Sequence, residues 1–310
     1  GRPDLRESGG GQEALREELA KNMYSSLREK LMKLADDVVL YPGHGAGTLC
    51  GKALSEANTS TIGAEKITNW SLQEMPREQF VKELIADQPF IPAYFPFNVD
   101  LNKKGAPGFT ESVNKVAFGE PVKDKTGADR LESNRWIVDT RDEKKYKKGH
   151  LEHSVNIMDG NKFETWLGSI IKPGEPFYLA GENEAQLKRL VERAASIGYE
   201  PQILEAFVLD YAEETIEQLD LEKFKADPNA FTIVDVRNPS EVKQNKIFSG
   251  SLTIPLAEIR ERMNEIPTNK PIAVHCAGGY RSAAASSLIA SGIDGETKVF
   301  DIGEAIKDFQ

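Results

Sequence analysis

The sequence predicts an α/β protein in which two similar units, each built on a parallel sheet, follow a different amino-terminal segment. Short apolar runs bounded by turn residues alternate with helical stretches over most of the chain, and one motif occurs twice. The runs, in chain order, are WIVD, PFYLA, FTIVDV, PIAVHC and TKVFD. Continuous apolar strands between helices are typical of a parallel sheet that is covered on both faces.

Length and composition limit the function classes. At about 150 residues per domain, 310 residues predict two domains, or three small ones. A net charge of -10 repels phosphate backbones, so we expect no nucleic-acid partner. No apolar run reaches the roughly 18 residues of a membrane helix, so we expect no membrane partner. Two cysteines form no disulfide framework and no signal peptide is evident, which favours a cytoplasmic location.

Residues 1–110 lack the strand and helix alternation. The apolar spacing predicts one amphipathic helix over Gln12 to Leu34, and VVLYP predicts a strand before the glycine-rich GHGAG turn. A second helix is expected in PREQFVKELIAD, with Pro76 at its first position. The aromatic and proline-rich residues 90–109 predict irregular packed structure. One clear strand is too few for a separate sheet domain.

The repeat lies in the remaining 200 residues. WIVDTRDEKKYKKGHLEHSVNI and TIVDVRNPSEVKQNKIFSGSLTIPL share the Asp-x-Arg pattern, with Asp139 and Asp235 96 positions apart. Each segment then leads into a helical pattern that stops at a glycine, Gly198 or Gly292. We therefore predict three domains, at 1–110, 111–212 (the first copy) and 213–310 (the second copy).

A cysteine loop is the most specific chemical signal. Cys276-Ala277-Gly278-Gly279-Tyr280-Arg281-Ser282 lies between a predicted buried strand and a helix that opens near Ser282. Backbone N–H groups and the helix dipole meet at such a position, which favours the thiolate of Cys276. Gly278 and Gly279 let the backbone curl around the sulfur. Arg281 ends the loop with a permanent positive charge that can form a bidentate pair with an anion.

Three other interpretations of this loop are less consistent with its residues. Cys276 could be a buried small hydrophobe at a strand end, the commonest fate of a free cysteine. A cysteine phosphatase places one more residue between cysteine and arginine than the four found here. A thioredoxin-type dithiol needs a CxxC motif, which the sequence lacks. The loop composition and the arginine favour a nucleophilic Cys276.

IVDVR, GSLTIPL and HCAGGYRS resemble a rhodanese (sulfurtransferase) domain over residues 213–310. The resemblance implies that Cys276 accepts a sulfane sulfur as a persulfide and passes it to a nucleophile. It also implies that the loop and Arg281 hold this persulfide, and that Asp235 and Arg237 support the fold and the substrate-binding rim. The loop residues so assigned to substrate binding are Ala277, Gly278, Gly279 and Tyr280. Lys246-Ile247 departs from the Gly-His usual in the family.

The first copy resembles the same family without its chemistry. Its loop reads Gly181-Glu182-Asn183-Glu184-Ala185-Gln186, with neither cysteine nor closing arginine. We interpret this copy as a degenerate rhodanese with a structural or docking role.

The amino-terminal motifs GRPDL, YPGHGAGTLCG and TIGAEKITNW resemble the carboxy-terminal part of a metallo-β-lactamase αββα domain, of the persulfide dioxygenase and glyoxalase II branch. The resemblance implies that His44 serves as, or lies beside, a ligand of Zn or Fe in a complete domain. The HxHxDH run and the other ligands of that family are missing from this sequence. We therefore expect an amino-terminally truncated domain with no cofactor of its own.

The remaining histidines and Cys50 are interpreted as structural. His150 and His153 lie in the degenerate copy, and strand alternation points His275 away from Cys276. Cys50 has no loop of amides around it and is expected to be packed.

Three functional hypotheses stay open at this point. The favoured one is a sulfurtransferase that uses thiosulfate or a thiol persulfide, within a metallo-β-lactamase and rhodanese fusion in sulfide or persulfide metabolism. The alternative is a metal-dependent hydrolase or persulfide dioxygenase whose metal site is lost here. The third is a docking module without catalysis. Small sulfur donors and acceptors are the expected partners, and exposed apolar surface on an incomplete domain favours a homo-oligomer.

Overall fold

The computed structural model describes residues 2, 12–45, 56–88, 90–293 and 297–309. The chain forms two compact units, Gly1–Ile91 and Pro92–Gln310, so the first unit ends before the predicted boundary at residue 110. Cys50 and residues 1 and 3–5 of the GRPDL motif lie outside the described residues. No helix within the described ranges combines the length and apolarity needed to cross a membrane.

The first unit is mainly helical. Its core joins α1 (Gln12–Glu29) to α3 (Arg77–Ile85), with α2 (Ile62–Thr68) between them in sequence. The predicted strand is reduced to β1 (Val39–Leu40), which pairs antiparallel with β2 (Ser60–Thr61). The predicted helix to Leu34 was too long.

The amphipathic pattern of the sequence continues beyond the end of α1, but the apolar side chains there have little to pack against. Leu31 and Leu34 remain 41% and 42% exposed, and residues 31–33 form only a 3₁₀ turn. Helical stability in proteins comes mostly from packing of the apolar face, so the α-helix ends where that face loses its cover. Pro76, expected at the first helical position of α3, is its N-cap.

The second unit begins with two helices, α4 (Tyr94–Lys104) and α5 (Phe109–Val113). The expectation of irregular structure over 90–109 was therefore wrong. Pro96 lies in the first turn of α4, where a backbone N–H has no helical acceptor, so this proline is compatible with the helix. Gly105, at φ +90°, ends it.

Both copies have the same topology. The elements of the first copy are α6 (Lys125–Asp129), β3 (Trp136–Asp139), α7 (Glu143–Lys148), β4 (Ser154–Asn156), α8 (Phe163–Ile170), β5 (Phe177–Gly181), α9 (Glu184–Ala195) and β6 (Ile203–Val208). Those of the second copy are α10 (Leu221–Ala226), β7 (Thr232–Asp235), α11 (Pro239–Gln244), β8 (Leu252–Thr253), α12 (Ile259–Arg262), β9 (Ile272–His275), α13 (Tyr280–Gly292) and β10 (Val299–Asp301). The sheet orders, β4-β3-β5-β6 and β8-β7-β9-β10, correspond strand by strand, and every pair is parallel. The predicted α/β fold with two parallel-sheet copies is confirmed.

The two copies pack on each other through α13. Ser287 Oγ accepts a hydrogen bond from Asn156 N of β4 at 3.0 Å, and Ser291 Oγ donates to Ser154 O at 3.3 Å. Residues 282–289 are all buried, because the helix is covered both by its own sheet and by the first copy. Small residues around the helix let two neighbours approach, which accounts for the sequence SAAASS.

Candidate active site

The loop after β9 surrounds the Cys276 sulfur with donors. Gly279 N donates to Sγ at 3.1 Å and Gly278 N at 3.5 Å, while Ser282 Oγ lies 3.6 Å from Sγ. The side chain of Cys276 is nearly enclosed, at 2% exposure, whereas Ala277 and Gly278 are exposed at the loop surface. N–H groups that converge on one sulfur at the start of a helix stabilise negative charge there.

Glycine is required at one position of this loop. Gly279 has φ +102°, a conformation that other residues rarely adopt. A Cβ there would also stand 3.4 Å from the backbone of Gly303 and Glu304. The predicted curl of the loop therefore depends on Gly279, and the same backbone shape directs its N–H to the sulfur.

Arg281 closes the loop but its guanidinium is already paired. Its two terminal nitrogens donate to the carboxylate of Glu241 at 2.6 and 2.8 Å. Burial alone would lower the pKa of Arg281, but these bonds and the charges of Glu241 and Cys276 raise it, so the side chain stays charged. Both terminal nitrogens of Arg281 are therefore bound to a carboxylate, a partner that the sequence analysis missed.

The sequence did hold a signal for Glu241. Asn238-Pro-Ser-Glu241 fits a capping box at the start of α11, and Asn238 N donates to Glu241 Oε2 at 3.0 Å. Burial tends to raise the pKa of Glu241, yet the hydrogen bonds and charge of Arg281 lower it overall.

Asp235 and Arg237 form a buried pair beneath the loop. Arg237 Nε lies 2.9 Å from Asp235 Oδ1, and its terminal nitrogen lies 2.6 Å from Oδ2 and 2.9 Å from Asn245 O. Arg141 makes the same bonds to Asp139 in the copy without a cysteine, and also binds a carbonyl eight residues on. The pair therefore recurs in a copy that has no cysteine in its loop, and Asp235 is fully buried.

His275 lies beside Asp235. It is fully buried, with Nε2 3.6 Å from Asp235 Oδ2 and its ring edge-to-face with Phe248. Burial lowers the pKa of His275, so the imidazole is neutral.

The first copy contributes to the surroundings of the loop. Glu143 Oε2 lies 3.6 Å from the point where a Cβ on Gly279 would stand. Burial raises the pKa of Glu143, and the nearby charge of Lys147 only partly opposes this. Tyr280, expected to contact substrate, donates its hydroxyl to Met158 O at 2.5 Å. Sequence patterns within one copy contain no signal for these contacts between copies.

In the equivalent loop of the first copy, a side chain at the position of the cysteine would contact two other side chains closely. A Cβ on Gly181 would stand 2.8 Å from Leu187 Cδ2 and 3.0 Å from Gln186 Oε1. Gln186 Oε1 also accepts a hydrogen bond from Glu182 N at 2.8 Å, so a side chain of this loop occupies one of the loop's own backbone N–H groups.

His44 is the residue that the sequence resemblance relates to a metal. His44 is exposed, and the described part of the chain contains no group of three or more His, Cys, Asp or Glu side chains arranged to hold a metal ion. The residues present there do not fit Zn or Fe.

Comparisons with known proteins agree with this architecture. A model of the rhodanese-like domain matches residues 124–214 and 216–310. The chain is 30% identical over 97 residues to the uncharacterized protein YqhL of Bacillus subtilis (strain 168), which covers 31% of this chain and 75% of that protein. It is 32% identical over 74 residues to a sulfurtransferase of Allochromatium vinosum, which covers 24% of this chain and 68% of the relative.

A solved structure matches a larger part of the chain. The crystal structure of a metallo-beta-lactamase from Staphylococcus aureus subsp. aureus COL superposes with a TM-score of 0.56 at 30% identity. The match covers 67% of this chain but 55% of that one, so the chain spans about half the length of this neighbour.

Proposed function

Because the chain belongs to the rhodanese-like domain family, we propose that its second copy transfers sulfane sulfur through a persulfide on Cys276. The observation that carries this proposal is the convergence of the Gly278 and Gly279 N–H groups on Cys276 Sγ. These donors stabilise a thiolate before the reaction and a persulfide sulfur next to it afterwards. The sulfurtransferase of Allochromatium vinosum supports the same reaction class.

The proposed chemistry has two displacements. The Cys276 thiolate attacks the sulfane sulfur of the donor, an S–S bond forms, and the donor's S–S bond breaks. Sulfite leaves with the electron pair when the donor is thiosulfate, and a thiolate leaves when it is a thiol persulfide. A thiolate, sulfite or cyanide then attacks the terminal sulfur of Cys276–S–S⁻, which regenerates the Cys276 thiolate. No external oxidant or reductant is needed.

Intact-mass spectrometry tests the proposal. The protein is incubated with thiosulfate or with a thiol persulfide, and Cys276→Ser is compared with Cys50→Ser as the matched control. We expect a gain of one sulfur atom in the wild type and in Cys50→Ser, its removal by cyanide, and no gain in Cys276→Ser. A gain that persists in Cys276→Ser, or no gain with either donor, contradicts the proposal.

The alternative of a metal-dependent hydrolase or persulfide dioxygenase concerns a longer protein. The likeness to the metallo-beta-lactamase structure supports a proposal that the sulfur-transfer unit functions beside such a domain. Metal analysis and dioxygen uptake on a chain with the complete domain test it, and a metal-free, inactive longer chain contradicts it. No step of the sulfur transfer depends on that metal.

A further inference from the structure

We infer that Tyr280 is a positioning residue through which the degenerate first copy holds the catalytic loop around Cys276. The inference rests on the proposed function for its meaning in sulfur transfer, but its geometry is independent of any donor. By this contact the first copy, which has no cysteine in its own loop, influences the reactivity of Cys276 Sγ in the second copy.

The contact joins the loop to one short segment of the first copy. Tyr280 Oη donates to Met158 O at 2.5 Å across 122 residues of sequence. The ring lies against Gly160, where an added Cβ would stand 3.0 Å from its Cε2 atom. A hydroxyl bond and a close ring contact together fix both the distance and the orientation of the side chain.

The environment keeps the Tyr280 hydroxyl protonated as a donor. Burial raises the pKa of Tyr280. The charge of Arg193 opposes this with a smaller effect than burial, and the charges of Glu164 and Asp159 raise the pKa further. Arg193 is bound to Asp159, Glu164 and Gly160 O, so the segment that receives Tyr280 is itself held in place.

The anchored residue adjoins the groups that contact the sulfur. Tyr280 is the first residue of α13 and follows Gly279, whose N–H donates to Cys276 Sγ. Gly278 and Gly279 have no side chains of their own to restrain this part of the loop. A loop that loses its external anchor spends less time with both N–H groups on the sulfur, so the thiolate is less favoured.

The pH dependence of Cys276 alkylation tests this without any sulfur donor. Iodoacetamide labelling of the full chain is followed at Cys276 by peptide mass spectrometry in the wild type, Tyr280→Phe and Gly160→Ala. Tyr280→Phe keeps the ring and removes the hydroxyl. Gly160→Ala instead places a methyl group of the first copy against the Tyr280 ring and displaces it, without any change in the sequence of the second copy. We expect both variants to slow labelling of Cys276 at neutral pH about fivefold, the order of effect of one lost hydrogen bond.

Tyr199→Phe is the matched control. Tyr199 also donates its hydroxyl to a carbonyl, Ile171 O at 3.0 Å, but within the first copy. We expect this variant to lower the melting temperature without a shift in the Cys276 alkylation profile. A merely structural Tyr280 would behave in the same way as this control.

The outcomes separate the two proposals. Unchanged alkylation profiles in both Tyr280→Phe and Gly160→Ala overturn the positioning role, even if sulfur transfer is normal. Shifted profiles in a protein that takes up no sulfur from any donor uphold the positioning role and reject the proposed function. An equal shift in Tyr199→Phe would mean general loosening of the unit and would also overturn the inference.

Discussion

Gly181 and Cys276 occupy the same position in two equivalent sheets. Asp139 pairs with Ala180 in the first copy and Asp235 pairs with His275 in the second, so Gly181 and Cys276 are the residues that follow these two partners. The residues that follow at equal spacing, Leu187 and Ser282, then differ in size. Ser282 leaves room beside the sulfur, whereas Leu187 fills that space beside Gly181.

The first prediction is that Gly181→Cys does not create a second sulfur carrier. The new side chain would overlap Leu187 and Gln186, and overpacking of this kind costs about 1–3 kcal/mol. In a Cys276→Ser background, intact mass after incubation with donor should show no added sulfur. Gly181→Cys combined with Leu187→Ser and Gln186→Arg restores the space and the cation, and serves as the comparison. Sulfur uptake by the single variant would contradict the packing argument.

The second prediction concerns the backbone of the loop. Gly279→Ala forces a side chain into φ +102°, which costs about 1–3 kcal/mol and turns the N–H away from the sulfur. We expect slower persulfide formation and a lower midpoint in urea. Gly250→Ala is the control, because a Cβ there meets nothing within 4 Å. Equal effects of both substitutions would show that loss of glycine flexibility, and not the loop conformation, is responsible.

The third prediction is a pH dependence of stability. The pKa of Glu241 is lowered in the folded state, so its ion pair with Arg281 stabilises the protein above the unfolded pKa of about 4.3. This contribution is lost as the pH falls through the lower, folded pKa. Glu241→Gln should be less stable at pH 7 by about 1 kcal/mol, because the carboxylate is a third exposed and screened.

Urea unfolding at several pH values measures this effect. The difference between the wild type and Glu241→Gln should be constant near neutrality and should shrink below pH 4.3 or so. Arg262→Gln, which removes surface ion pairs with Glu258 and Glu265, is a control of small effect. A difference that grows on acidification would contradict the assignment.

The fourth prediction compares the two buried carboxylates. Asp139→Asn and Asp235→Asn each leave a buried arginine without its charge partner, which costs about 3 kcal/mol. We expect similar losses of stability from both, measured by denaturant unfolding, and persulfide formation in the fraction that stays folded. Loss of sulfur uptake in a stable Asp235→Asn protein would restore a direct role for Asp235 in substrate binding.

The features that could be predicted from the sequence are those determined by a few consecutive residues. The strands WIVD and PIAVHC are continuous apolar runs with turn residues on both sides. This pattern alone is enough to predict a buried parallel strand. The cysteine loop could be predicted for a similar reason, since its glycines and its arginine lie within seven consecutive residues. Both predictions use information that is contained in a short window.

The missed features depend on distant contacts. The helix α4 forms because its aromatic face packs on Tyr199, a hundred residues away, which outweighs the prolines around it. The bond between Tyr280 and Met158 joins two copies whose relative placement no periodicity specifies. Glu241 lies between these cases, because its capping role was evident in the sequence whereas its pairing with Arg281 needed the fold.

The serine contacts of α13 have a consequence for the separated copies. A terminal strand presents N–H and C=O groups that can pair with another chain and promote aggregation. Ser287 and Ser291 occupy two such groups of β4, Asn156 N and Ser154 O. A first copy expressed without the second would expose Asn156 N to solvent and to other molecules, whereas Ser154 O would keep the hydrogen bond that Tyr146 Oη donates to it at 3.0 Å. The second copy therefore protects the edge of the first copy's sheet from edge-to-edge association.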